Sequence, residues 1–326
     1  MVVDHKFFMA LAIQEAWKYQ GLTYPNPAVG CCVLGEHGEI LAVEAHHKAG
    51  QPHAEVNALQ QAYYKLTNDS YILALSDSLD IHTHLLQNHQ GIFKNCSLYT
   101  TLEPCSHYGK TPSCANLIAE LGIQEVYVGS YDTNVAAQKG NMILQMNNIE
   151  VYSEIMMKEC DALLEPFKKF LESSFVFFKW AQRLDGSSGD GIISSQDSRK
   201  NVHAMRDVCD LLVIGGNTVR EDRPTLDARL VDGKAPDVLI YSREKEFDRT
   251  IALFGVEGRK VFIENDFSKI KEYKNIMIEG TENMYNLTKD IVDYYLCYLA
   301  PNANNFEVLN TTQESQDIIM WMKKRI

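Results

Sequence analysis

The chain has 326 residues, of which 45% are hydrophobic and 23% charged, and its formal net charge is −12. At roughly 100–200 residues per domain, this length predicts two domains. The acidic balance argues against a protein that binds duplex nucleic acid through a basic face.

The first half alternates between apolar patterns of helical and of strand spacing. In chain order the patterns predict helix 5–20, strands 29–34 and 39–47 as a hairpin, helix 53–65, strand 96–104, helix 115–121 and strand 124–130. We expect an α/β domain with mainly parallel strand pairing. Cys31 and Cys32, at the start of a strand, are interpreted as core thiols.

Residues 66–95 interrupt this alternation, since the segment is polar and rich in histidine. We interpret it as an insertion with one short helix. His82, His84 and His89 allow a second metal site, but nothing with ligand spacing accompanies them. A solvated surface loop is therefore the favoured interpretation.

The second half begins near residue 150, which predicts domains 1–149 and 150–326. Its apolar runs predict strands 175–180, 211–216, 236–242, 260–264, 275–280 and 294–301, and a closing hairpin from 306–310 and 317–323. The Gly-Gly pair after LLVI is a setting in which backbone N–H groups bind phosphate. The chain lacks GxGxxG there, so a Rossmann fingerprint is absent.

No apolar run reaches the ~18–20 residues of a membrane-spanning helix. Asp4 and Glu15 flank the apolar residues near the N-terminus, which favours an amphipathic helix over a signal peptide. Eight cysteines without such a signal indicate thiols or metal ligands rather than disulfides. We therefore expect a cytoplasmic protein.

Four residues form the constellation with the clearest chemistry. His53, Cys105 and Cys114 offer the three protein ligands of a catalytic zinc site, and Glu55 stands beside the histidine. Zinc lowers the pKa of its water ligand, and Glu55 is expected to carry protons during a hydrolytic deamination. The pattern HxE…PC is the signature of zinc deaminases, although that signature expects Cys-x-x-Cys, whereas the second cysteine here follows eight residues later.

With PNPAVG at 25–30, AHHKAG at 45–50 and TLEPCSHYGKTPSC at 101–114, the first half resembles the bifunctional deaminase–reductase family of riboflavin biosynthesis. That family has a long loop between the two cysteines. The resemblance implies a cytidine-deaminase-like three-layer α/β/α domain. It also implies that Asn26 contacts the pyrimidine ring and that His46, His107 and Lys110 line the pocket for phosphate or base.

The second half resembles the reductase domain of the same family, through KxAxxLDG from Lys179, HxxR from His203 and GxTVxxDxPxLxxR from Gly216. The resemblance implies a dihydrofolate-reductase-like α/β fold and NADPH as cofactor. The residues implied for the cofactor are Ala181, Ile192, Thr218, Asp222 and Thr281. Those implied for the substrate are Lys179, Asp190, Arg206, Leu226, Arg229 and Glu279.

Two of these positions depart from the family, which commonly has a serine where Asp190 stands and a tryptophan where Ile192 stands. Arg206 and Arg229 suit a ribose-phosphate dianion, since guanidinium groups offer paired donors.

The leading hypothesis is a two-step enzyme that deaminates a phosphoribosylamino-diaminopyrimidinone and then reduces its ribosyl chain to ribityl with NADPH. We expect a phosphorylated small-molecule substrate, a homo-oligomer, and neither nucleic-acid nor membrane partners. One alternative is a deaminase whose second half is only structural. Another is a zinc-stabilised nucleotide-binding module, although structural zinc normally has four protein ligands.

Overall fold

The computed structural model describes residues 4–107, 109, 111–133, 139–188, 191–300, 306–314 and 317–324. The chain divides into two compact units, Met1–Lys169 and Phe170–Ile326. This division lies twenty residues beyond the expected boundary (169 against 149), because a further helix packs on the first unit.

The first unit contains helices and strands at most of the expected positions. In chain order they are α1 (His5–Trp17), β1 (Gly30–Leu34), β2 (Ile40–Ala45), α2 (Ala54–Thr67), α3 (Ser78–Asn88), β3 (Ser97–Leu102), α4 (Cys114–Leu121), β4 (Glu125–Ser130), α5 (Gly140–Met146), β5 (Glu150–Tyr152) and α6 (Met157–Glu172).

The strands of this unit form a five-stranded sheet in the order β2-β1-β3-β4-β5. β1 pairs antiparallel with both β2 and β3, whereas β3–β4 and β4–β5 are parallel. The expectation of mainly parallel pairing was therefore wrong for this unit, because the β1–β2 hairpin adds an antiparallel half. The parallel half places the chain after β3, which carries Cys105, at the carboxyl edge of the sheet.

Helices cover both faces of this sheet, as the alternation of Cys31 and Cys32 illustrates. Cys31 belongs to the core that includes residues of α2, α3 and α4, whereas Cys32 packs with Met9 of α1 and Cys160 of α6. Both thiols are fully buried, which confirms their interpretation as core residues. The expected three-layer α/β/α architecture is confirmed.

The segment 66–95 is part of the core rather than a solvated loop. It contains a 3₁₀ turn, Ser70–Ala74, and α3, and its Ile72, Ile81 and Leu85 are buried in the cluster that includes α2 and α4. His82 is buried and its Nδ1 donates to Ser78 O (2.7 Å). The solvated interpretation was wrong because it considered only polarity, whereas Ile72, Ile81, Leu85 and Phe93 are buried in the core while Tyr71, Leu73 and Leu79 stay exposed.

The second unit is an α/β domain around a wholly parallel sheet. Its elements are β6 (Phe175–Arg183), α7 (Gln196–Val208), β7 (Leu211–Gly215), α8 (Gly216–Asp222), β8 (Asp237–Tyr241), β9 (Val261–Glu264), β10 (Asn275–Glu279), α9 (Glu282–Thr288), β11 (Tyr294–Ala300), β12 (Phe306–Glu314) and β13 (Asp317–Lys324). The sheet order is β11-β6-β10-β7-β8-β9, and each neighbouring pair is parallel. The carboxyl ends of these strands share one edge, where ligands of such sheets bind.

The closing hairpin is confirmed as β12 paired with β13. Ile318 and Trp321 on it are 61% and 69% exposed, which leaves apolar surface open to a partner. Within the described part of the chain, no helix combines the length and apolar character that crossing a bilayer requires.

Candidate functional site

The expected zinc ligands come from three separate pieces of backbone. His53 is the N-cap residue of α2, Cys105 lies in the loop after β3, and Cys114 is the first residue of α4. Their ligand atoms all lie within 4.8 Å of one another, and no other such group of three occurs among the described residues. The structure therefore brings together residues that are 61 positions apart in sequence.

The distances fit a zinc ion. Nδ1 of His53 lies 3.6 Å from Sγ of Cys105 and 3.4 Å from Sγ of Cys114. Tetrahedral zinc, with Zn–S of about 2.3 Å and Zn–N of about 2.1 Å, would separate a sulfur from a nitrogen ligand by about 3.6 Å. Nδ1 is thus the ring nitrogen that would bind the metal. Two sulfurs and one nitrogen also match the ligand preference of zinc, with a fourth position left for substrate chemistry.

The start of α4 stabilises negative charge on Cys105. The backbone N–H of Cys114 donates to Sγ of Cys105 (3.4 Å), and Ser113 caps α4 while its hydroxyl donates to Cys105 O (2.8 Å). Hydrogen bonds from Cys114 and His53 lower the pKa of Cys105. The pKa of Cys114 is raised by this neighbouring sulfur and by burial. A bound dication deprotonates such a pair outright.

Glu55 lies in the first turn of α2 and is only 4% exposed. Burial raises the pKa of Glu55 to about 7. The positive charge of His53 lowers this pKa, whereas the negative charge of Cys105 raises it further. Its side chain also interacts with that of Cys114. A carboxyl group with a pKa near neutrality both accepts and donates protons readily, so the position suits an acid–base group.

Asn26 and His46 are joined to the zinc-binding set. His46 is buried, its Nδ1 donates to Pro52 O (3.0 Å), and its Nε2 therefore accepts from the Asn26 amide (3.0 Å). The His46 ring lies edge to face with that of His53, at 5.4 Å between centroids. Burial lowers the pKa of His46 to about 4, so this ring is neutral at physiological pH and holds the Asn26 amide in one orientation.

The other two expected pocket residues are His107 and Lys110. His107 is exposed, and within the described residues no hydrogen bond links it to the zinc ligands. Lys110 lies outside the described residues.

Sequence reasoning missed Thr111 and Glu103. The Thr111 hydroxyl lies 3.3 Å from Nε2 of His53, the ring nitrogen that faces away from the sulfurs. The buried Glu103 carboxylate accepts backbone N–H groups from Asp132, Lys139 and Asn141 at 3.0–3.3 Å. No spacing rule predicts such contacts, because both depend on how loops close around the site.

The second unit contains an ion-pair cluster around Glu279 at the carboxyl end of β10. Nε and Nη2 of Arg206 donate to Oε1 of Glu279 at 2.9 and 2.8 Å, and Nζ of Lys179 lies 3.6 Å from Oε2. Burial alone would raise the pKa of Glu279, but Arg206 and Lys179 hold it at about 2. Three residues expected in the substrate site are therefore adjacent.

Leu226 and Arg229 lie on one loop near this cluster. Leu226 is buried, whereas the Arg229 side chain is 61% exposed and donates to Oδ1 of Asp227 (2.6 Å). The carbonyl of Asp227 accepts from Nη1 of Arg206 (3.3 Å). Asp227, which sequence reasoning missed, thus links both arginines. Asp190 lies outside the described residues.

Four of the residues expected at the cofactor site lie on or after neighbouring parallel strands. Ala181 is on β6, Thr218 and Asp222 are on α8 after β7, and Thr281 is the N-cap residue of α9 after β10. A side chain on Gly216 would meet Ser242 at 2.8 Å, which explains a glycine at this turn. Ile192 is 71% exposed, and none of the contacts described above involves it.

Comparisons with known proteins agree with both halves. Residues 2–130 match the cytidine and deoxycytidylate deaminase zinc-binding region, and residues 174–303 match the RibD C-terminal domain. The chain is 33% identical over 309 residues to the riboflavin biosynthesis protein RibD of Aquifex aeolicus, covering 90% of this chain and 79% of that protein. The chain belongs to the RibD family.

Other RibD proteins are similar in sequence and in structure. The Haemophilus influenzae protein is 35% identical over 230 residues, which cover 68% of this chain and 54% of that protein. The structure of Acinetobacter baumannii RibD superposes with a TM-score of 0.60 at 25% identity, over 97% of this chain and 98% of that one. RibD is a bifunctional deaminase/reductase of riboflavin biosynthesis, and both of its domains are present here, with zinc and NADPH as their cofactors.

Proposed function

We propose that the first unit removes the ring amino group of diaminohydroxyphosphoribosylaminopyrimidine by hydrolysis and that the second unit reduces the product, 5-amino-6-(5-phosphoribosylamino)uracil. A Thermotoga maritima protein of the same fold is named for these two activities. Its sequence is 24% identical to this one, and the two structures superpose with a TM-score of 0.61 over 98% of each chain. The observation that carries the proposal is the convergence of His53, Cys105 and Cys114 beside the buried Glu55.

In the deaminase step, Glu55 moves the protons. Bound zinc, held by His53, Cys105 and Cys114, supplies the Lewis acid that makes water nucleophilic at neutral pH. Glu55 accepts the proton that the attacking water releases and returns it to the departing ammonia. The Asn26 amide, oriented by His46, supplies a directed hydrogen bond to the pyrimidine ring. His107 and Lys110 remain proposed contacts to base or phosphate.

In the reductase step, NADPH supplies the hydride and the chain's own residues bind and orient the sugar. Among the described residues, the guanidinium of Arg206 uses three N–H groups on Glu279 and Asp227, which leaves two of its five for an anion. Arg229 presents an exposed guanidinium beside it. The proposed substrate residues are Lys179, Asp190, Arg206, Leu226, Arg229 and Glu279, and the proposed cofactor residues are Ala181, Ile192, Thr218, Asp222 and Thr281.

We further propose a cytoplasmic homo-oligomer that acts on small molecules and binds neither nucleic acid nor membranes. The net charge of −12 supports the absence of a nucleic-acid partner. The exposed apolar residues of β13, together with Tyr295 and Leu299 of the edge strand β11, are 39–69% exposed and support self-association. Sedimentation of the purified chain would test this part, since a monomer at all concentrations contradicts it.

The decisive experiment measures zinc content, ammonia release and NADPH oxidation on one preparation of the intact chain. We expect one zinc per chain and ammonia release from the diaminopyrimidinone. NADPH oxidation should occur with the added deaminated product, and with the diaminopyrimidinone only after its ammonia has been released. Removal of zinc by a chelator should abolish ammonia release and leave the reduction of added intermediate unchanged.

Each alternative predicts a different result in the same assays. A structural second half would release ammonia but never oxidise NADPH. A zinc-stabilised binding module would contain zinc without releasing ammonia. A preparation without zinc that still deaminates would overturn the proposed role of His53, Cys105 and Cys114.

A further inference from the structure

The loop from Pro224 to Asp227 has an unusual pattern of hydrogen bonds. Its four successive carbonyls each accept a hydrogen bond from a residue outside the loop. Pro224 O accepts from Leu253 N (3.1 Å), Thr225 O from Nη1 of Arg259 (2.7 Å), Leu226 O from Nη2 of Arg259, and Asp227 O from Nη1 of Arg206 (3.3 Å). The conformation of this loop is therefore imposed by its surroundings.

The backbone within this loop is strained. Leu226 has φ of +57°, a left-handed conformation that a side chain with a Cβ disfavours by about 1–2 kcal/mol. Such a residue persists only where neighbouring groups hold it in place. Leu226 is only 6% exposed, so its side chain is packed against its neighbours. Its carbonyl is held by the hydrogen bond from Arg259.

Arg259, which lies just before β9, provides the largest share of this restraint. Its guanidinium donates to the two central loop carbonyls, and its Nε donates to Pro236 O (2.8 Å). The three described hydrogen bonds of its guanidinium all go to backbone carbonyls. Burial lowers its pKa to about 10, which leaves it charged at physiological pH.

The restrained loop in turn controls two guanidinium groups. Asp227 follows Leu226 directly, and its carbonyl accepts from Arg206 while its carboxylate accepts from Arg229. A change in the backbone at Leu226 would therefore move both acceptors. Arg206 would keep its hydrogen bonds to Glu279. Arg229 is 61% exposed, and among the described residues its ion pair is with Asp227, so the position of its guanidinium depends on Asp227.

We propose that Arg259 is a positioning residue of the reductase site, which fixes the strained turn at Leu226 so that Asp227 aims Arg229 and Arg206 at the substrate phosphate. This inference rests on the proposed reductase function. The planar fork of arginine is needed, because one rigid group must serve two neighbouring carbonyls and a third on another segment. Lysine at this position would keep the charge and lose that geometry.

The test compares Arg259→Lys with the intact chain in steady-state reduction of the deaminated intermediate. We expect KM for the phosphorylated substrate to rise by about 10- to 100-fold, as the loss of hydrogen bonds to a charged group predicts. Ammonia release by the first unit serves as an internal measure of folding.

Two further variants separate positioning from general stability. Arg249→Lys is the matched control, since Arg249 is exposed and its guanidinium lies over the Phe254 ring at 4.5 Å. It should leave every kinetic constant unchanged. Arg259→Ala should lose more activity than Arg259→Lys. Millimolar guanidinium chloride should partly restore its KM, whereas the same concentration of sodium chloride should not.

The results distinguish failure of this inference from failure of the proposed function. If the intact chain oxidises no NADPH with the deaminated intermediate, the reductase function itself is wrong. If the intact chain is active and Arg259→Lys has an unchanged KM, the positioning role is wrong. A lower melting temperature with an unchanged KM would likewise assign Arg259 a purely structural role and overturn the inference.

Discussion

Glu55 combines burial with a raised pKa, and its carboxyl group interacts with the candidate metal ligands His53, Cys105 and Cys114. Glu55→Gln keeps the shape of the side chain and removes its capacity to carry a proton. We expect ammonia release to fall by about 10²- to 10⁴-fold, the usual contribution of a general acid–base group. Zinc content should stay at the level of the intact chain, because Glu55 is not a ligand.

The control for this change is the reduction of added intermediate by the same preparation, which should be unaffected. Ammonia release within a few fold of the intact chain would contradict the proton-carrying role. Loss of zinc from Glu55→Gln would instead indicate that the carboxylate supports the metal directly.

We expect the free energy of unfolding of the second unit to change with pH in the acid range because of Glu279. Its pKa is about 2 in the folded protein against 4.5 for a free glutamate, because Arg206 and Lys179 outweigh the effect of burial. The stabilisation is therefore fully present above about pH 4.5 and is lost as pH falls toward about 2, an effect on the order of 3 kcal/mol. Hydrogen exchange of β10 amides between these pH values would measure it.

Glu279→Gln provides the comparison. We expect this variant to lose about 3–5 kcal/mol near neutral pH, because Arg206 and Lys179 would keep buried charge without a carboxylate. Its stability should also fall less steeply below pH 4.5 than that of the intact chain. An identical pH dependence in both proteins would show that Glu279 is not the titrating group.

The inserted segment is tied by Gln60 to α2, the helix whose first turn carries Glu55. Its Nε2 donates to Ile72 O (2.7 Å) and to Leu75 O (2.9 Å), and the side chain is buried. Gln60→Ala would leave two carbonyls without this donor, and we expect the first unit to lose about 1–3 kcal/mol. Chemical unfolding of the zinc-loaded chain would measure the change.

Gln61→Ala is the matched control, because Gln61 is the next residue of the same helix and is only half-buried. It should change stability by less than about 0.5 kcal/mol. Equal effects of the two variants would mean that helix propensity, rather than the link to the insertion, determines the loss.

The extent of the first unit depends on α6, which lies beyond the boundary expected from sequence. Leu163 of α6 packs with Ala16 and Ala28, and its carbonyl accepts from Gln20 (2.6 Å). We expect a chain of residues 1–172 to fold, bind zinc and release ammonia at the rate of the intact protein. A chain of residues 1–149 should aggregate, because it exposes the apolar surface that α6 covers.

Size-exclusion chromatography with metal analysis distinguishes the two truncated chains. A soluble, zinc-bound and active 1–149 chain would show that α6 belongs functionally to the second unit. Failure of both chains would show that the first unit depends on the rest of the protein.

Residue type and order alone predicted the three candidate zinc ligands and the acid–base group proposed beside them. His53, Cys105 and Cys114 could be found because metal chemistry restricts ligands to a few residue types, and Glu55 because a hydrolytic deamination needs a proton carrier beside the metal. The alternation of strands and helices likewise predicted two α/β domains, because a buried parallel strand is recognisable as a short apolar run.

Only the tertiary structure decided what surrounds these residues. Thr111 contacts the His53 ring, Asp227 accepts from Arg206 and Arg229, and Arg259 donates to three backbone carbonyls. No motif or spacing in the sequence marks a residue for such contacts. The burial of His82 and the assignment of α6 to the first unit also depend on long-range packing. A sequence constrains the chemistry of a side chain directly, whereas its neighbours depend on how distant segments fold together.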